Sequence, residues 1–73
     1  MNEHAEYLRR FGEAVRQERE QQRLSVADLA VRSSIAARRI SKIEAGRLDP
    51  RYDVVIALAD GLGVQASTLM PKE

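Results

Sequence analysis

Residues 25–46 read SVADLAVRSSIAARRISKIEAG, and the way this stretch divides decides the fold. Ser25 followed three positions later by Asp28 has the pattern of a capping box with a shortened acid, and Val26, Leu29 and Ala30 behind it supply a short apolar face. The spacing predicts a helix over about 26–33. Ser33-Ser34 interrupts it, and Ile40 with Ile43 sets a second short helix over about 37–45. Gly46 closes that helix, since glycine takes the left-handed conformation just past a helix end at the lowest cost.

Working outward, Leu8, Phe11 and Val15 recur at three- and four-residue spacing among charges, which describes one long amphipathic helix between about Glu6 and Gln22. On the other side, Arg47 to Pro50 reads as a loop, because Pro50 lacks an amide hydrogen and biases Asp49 toward extended geometry. Val54, Val55, Leu58, Ala59 and Leu62 then form a broad stripe ending at Gly63, and a last short turn over Ser67 to Met70 stops before Pro71. No segment alternates as a half-buried strand does, and no internal repeat or low-complexity segment occurs. The expected architecture is all-α, a compact bundle of five short helices in one domain over 1–73.

Composition excludes several classes. A chain of 73 residues buries only about 60% of the surface that its unfolded form exposes, so helix packing has little margin. With no cysteine there is neither a disulfide framework nor a thiolate zinc site. The start, MNEHAEYLRRF, has no apolar signal region, and no stretch approaches the roughly 18 apolar residues of a membrane span, so a soluble cytoplasmic (nucleoid-associated) protein is expected. His4 is the only histidine, placed in a tail expected to fray, and no nucleophile–base pair or metal-ligand cluster accompanies it. No enzyme, metal, cofactor or small-molecule effector is expected.

Net charge is only +1, but it is unevenly spread. Residues 32–51 carry Arg32, Arg38, Arg39, Lys42, Arg47 and Arg51 against Glu44 and Asp49, a local +4, while both flanks are slightly acidic. An anionic partner would meet the middle third; the plain alternative is a solvated basic face. At 100° per residue, Ile40, Ile43 and Glu44 share one side of the second short helix, and Arg38, Lys42 and Ala45 share the other. Arg38 and Lys42, four residues apart, are donors of the kind that read guanine O6 and N7 in a major groove about 12 Å wide, unless they are simply solvated cations.

FGEAVRQERE, then LSVADLAVRSSIAARRISKIEAG, then LDP and VVIALADGLGV, in this order and spacing over residues 11–70, resemble the lambda and 434 phage repressor family, also known as the Xre-like helix-turn-helix family. Ala30 stands at the family's small residue for close helix crossing, Ile35, Ile40 and Ile43 at its apolar positions, and Glu44-Ala45-Gly46 at its closing Glu-x-Gly. The resemblance implies a helix-turn-helix over about 26–45 on double-stranded DNA, as a small bacterial or phage transcription regulator. It also implies base contacts from Ala37, Arg38, Ser41 and Lys42 and phosphate contacts from Ser25, Arg47 and Arg51. Arg39, to the side of the reading face, suits a phosphate.

Two departures stand out. Val26 replaces a glutamine that contacts DNA in many relatives, and Ser34 replaces a glycine where left-handed backbone costs other residues about 1–2 kcal/mol. Either Ser34 carries that strain or the turn differs. Arg19 lies on the stripe of Leu8, Phe11 and Val15, as Glu44 lies on that of Ile40 and Ile43. Charge on two buried faces points to a salt bridge, which the family also has; the alternative is that both side chains reach solvent at the rim. Leu69 and Met70, with little chain left to cover them, suggest a homodimer through the fourth or fifth helix on a pseudo-palindromic operator. The competing reading is a protein-interaction module, such as an antitoxin partner.

Overall fold

The computed structural model describes residues 3–71; the two residues at each end of the domain expected over 1–73 lie outside the described residues. Five helices follow one another: α1 (Glu3–Gln21), α2 (Val26–Ser33), α3 (Ala37–Glu44), α4 (Tyr52–Leu62) and α5 (Ala66–Leu69). No strand occurs among the described residues. α4 packs chiefly on α2, α3 on α1 and α2, and α5 on α4 and α1. Phe11 and Val15 from α1, Leu29 from α2, Ile40 and Ile43 from α3, five residues of α4 and Leu69 from α5 make one core.

The helix ends explain why such short elements hold. In α2, the Asp28 amide donates to Ser25 Oγ at 2.9 Å and the Ser25 amide donates to Asp28 Oδ2 at 2.9 Å, the reciprocal capping box. The Ser25 amide first, and then the Ser25 hydroxyl beside it, hold the Asp28 carboxyl below its ordinary value. α1, α3 and α4 close with paired bonds in which an amide two or three residues beyond the helix reaches back: Leu24 to Arg19, Arg47 to Lys42 and Val64 to Ala59, all at 2.9–3.0 Å. The left-handed position in these motifs is held by Arg23, Gly46 and Gly63 respectively. Arg23, at φ 59°, was not foreseen there.

Two expectations change, and the alternative left open at Ser34 is decided. α1 begins at Glu3, so His4 lies in the helix and not in a loose tail; Glu3 and Glu6 place acid at the positive end of the helix dipole. Ser34 does adopt the left-handed conformation, at φ 61° and ψ 23°, so the strain is carried. Ser33 helps: its hydroxyl donates to the Leu29 carbonyl at 2.7 Å and accepts the Ile35 amide at 3.2 Å, pinning both sides of the turn. α4 passes close to α2 at Gly61, where a Cβ would stand 3.0 Å from Ser33 Cβ, and Ala30 is half-buried. Finally, α5 starts at Ala66, and Leu69 is fully buried between α1 and α4, so only Met70 of the pair stays accessible. Met70 in turn accepts a hydrogen bond from the Tyr7 hydroxyl on its sulfur at 3.6 Å.

Candidate nucleic-acid interface

α3 is seated from one side. Ile40 and Ile43 point into the core, 0% and 1% exposed. Beside them Glu44 meets Arg19: Nε donates to Oε2 at 2.7 Å and Nη2 to Oε1 at 2.9 Å, a two-pronged pair. The third arm of the guanidinium donates to the Leu24 carbonyl at 2.8 Å, which ties the end of α1 to the same joint. Side-chain exposures of 13% and 9% make this a part-buried ion pair, largely shielded from solvent, and its hydrogen bonds raise the Arg19 pKa further.

Below that joint the helices touch by backbone. Gly12 of α1 lies against the last carbonyls of α3: a methyl there would overlap the Ile43 oxygen and sit 2.8 Å from that of Glu44. Gly12 was not singled out by periodicity, yet a glycine inside a strongly helical stretch costs about 1 kcal/mol relative to alanine, which is a signal that backbone must pass close by. A further tie, also unforeseen, joins His4 Nε2 to Asp49 Oδ2 at 3.0 Å, across to the loop after α3.

The opposite side of α3 is open. Ala37, Arg38, Arg39, Ser41 and Lys42 are all exposed, and among the described residues Arg38 and Lys42 form no ion pair. Arg47 and Arg51 are exposed on the α3–α4 loop, and Ser25 is exposed at the start of α2, its oxygen already accepting within the capping box. No side chain caps the start of α3, where Ala36 takes the N-cap position. Arg39 turns toward the loop, where it lines a hollow with Leu48, Asp49, Arg51, Asp53 and Val54. Arg38, Arg39, Ser41 and Lys42 are thus exposed together along α3, with Arg47 and Arg51 on the loop that follows. Among the described residues no cluster of His, Asp or Glu is arranged to hold a metal, and no helix is long and apolar enough to cross a membrane.

The family model for the helix-turn-helix domain matches residues 10–69. Among solved structures, the chain is similar to the restriction-modification controller protein C.AhdI from Aeromonas hydrophila, at 25% identity and a TM-score of 0.84, over 86% of this chain and 96% of that one. Among curated proteins nothing matches.

Proposed function

Because the chain belongs to the helix-turn-helix domain family, we propose that it binds double-stranded DNA as a small transcription regulator in the cytoplasm, with α3 as the helix that enters the major groove. The observation that carries this is the two-sided build of α3, rigidly seated by Ile40, Ile43 and Glu44 while Arg38 and Lys42 stand exposed on the far side. Arg38, with its planar fork of donors, reads a base edge; Lys42 and Ser41 add hydrogen bonds, and the Ala37 methyl suits a thymine. Arg39, Arg47, Arg51 and the Ser25 hydroxyl hold the flanking phosphates and set the register without reading sequence.

One such module makes few contacts, so the working unit is a symmetric dimer on a pseudo-palindromic site, with α3 helices about 34 Å apart. Of the three large exposed hydrophobics, Val31 on α2, Tyr52 on α4 and Met70 beyond α5, the last two lie on or beside the elements proposed to form the dimer, at 78% and 39% exposure. In vitro selection from random duplex DNA tests binding, symmetry and half-site spacing together. Enrichment of a two-fold symmetric site is expected; a pool that never enriches overturns the DNA reading, and an asymmetric site bound one to one overturns the dimer.

A further inference from the structure

Two hollows lie side by side along the flank of α3 and share Arg39 and Leu48. In the one nearer α4, about 250 Å³, Arg39 and Arg51 are balanced by Asp49 and Asp53. The other, about 320 Å³, is lined by Ala36, Arg38, Arg39, Lys42 and Leu48, with three cations and no carboxylate. Leu48 packs its buried side on the core, leaving the rest of its side chain as an apolar wall among charges. A bare inorganic anion would make no use of that wall, and an apolar segment would bury the cations at a cost. A nucleotide of a DNA strand matches both, because its deoxyribose has an apolar face next to a phosphate.

We propose that this cationic hollow seats one nucleotide of the DNA backbone, the sugar against Leu48 and Ala36 and its phosphate against Arg39, with Arg38 and Lys42 closing the side toward the groove. The proposal rests on α3 being the major-groove helix. In the second hollow Asp49 and Asp53 offset the two cations, so its attraction for phosphate is weaker than that of the first, where no carboxylate opposes three cations. Leu48 thereby becomes a DNA-contacting residue of a kind no charge pattern would disclose.

The test uses the unaltered protein and its selected duplex, with a 2′-O-methyl group placed at each nucleotide of both strands in turn. One position per half-site should lose about tenfold in affinity, because the added methyl overfills the hollow, with far smaller losses elsewhere. Leu48→Ala, checked for folding by its melting curve, should weaken selected and scrambled duplexes alike by about five- to tenfold. Its slope of log K against log salt should stay that of the parent, since no charge is lost. A selected duplex with a flat methyl scan, or a folded Leu48→Ala that binds as the parent does, overturns the seat while leaving α3 as the reading helix. Failure of the unaltered protein to select any duplex overturns the premise itself.

Discussion

On its inner side α3 is held by Ile40, Ile43, the Glu44–Arg19 pair and the backbone of Gly12; on its outer side Arg38, Ser41 and Lys42 stand exposed and make no ion pair among the described residues. Eight residues therefore do two jobs on opposite faces. Docking a ligand on the outer face orders side chains whose freezing costs up to about 2 kcal/mol each, but the backbone that carries them is already ordered by folding. Inner-face changes should act on stability, outer-face changes on binding, and the two should separate cleanly.

The sharpest way to break this division is Glu44→Ala, which leaves the largely buried Arg19 without a counter-charge and with the Leu24 carbonyl as its remaining acceptor, and should cost about 3 kcal/mol in denaturant melts, the lower end for a broken buried pair. A variant melting within about two degrees of the parent would mean that the pair does not hold the helix. On the other face, Arg38→Ala should cost about 1–3 kcal/mol of binding to the best site and relax preference at one base pair, with stability almost unmoved. Arg39→Ala should instead weaken every sequence and lower the magnitude of the salt slope by about 1, measured across a salt series. If Arg38→Ala lowers specific and scrambled binding equally while Arg39→Ala erases their difference, the reading face is rotated from its assigned place.

Smaller effects sharpen the comparison at α2, which orients α3 through its turn. Ser34→Gly removes the left-handed strain and should stabilise by about 1 kcal/mol in urea, with DNA affinity unchanged. A loss of stability would show that Ser34 is needed for more than its backbone. The least effect belongs to Asp28, whose carboxyl is held below its ordinary value of 3.8. A carboxyl depressed in the folded state stabilises it above the unfolded pKa, and that contribution is lost as pH falls through the folded one. Thermal melts of Asp28→Asn from about pH 5 to about pH 2 should therefore fall less steeply than the parent's. Parallel curves would remove the capping box from the account of acid sensitivity.

Much of this division was legible in the chain. Apolar spacing delivers α1 to α4 because each must bury one face, and 100° per residue separates Ile40 and Ile43 from Arg38 and Lys42 without any structure. Arg19 and Glu44 betray themselves by standing on apolar stripes, where charge demands a partner. What escaped depends on neighbours distant in sequence. The start of α1 is set by acids and by His4 reaching Asp49, where no apolar residue repeats. The burial of Leu69 requires knowing that α1 and α4 converge there. The hollow beside Leu48 exists only because the loop after α3 folds back along Arg39.

Gly12 carries a consequence for exchange of parts. It allows α1 to lie against the terminal carbonyls of α3, a contact made with main-chain atoms and so indifferent to the side chains that α3 displays outward. On the proposed reading, positions 37, 38, 41 and 42 form a replaceable set: rewriting them would alter what the helix says while leaving its socket, built by Gly12, Arg19, Ile40, Ile43 and Glu44, as it is. A lineage of such chains could thus diverge in target by a handful of codons on one strip, with position 12 as the place where divergence stops.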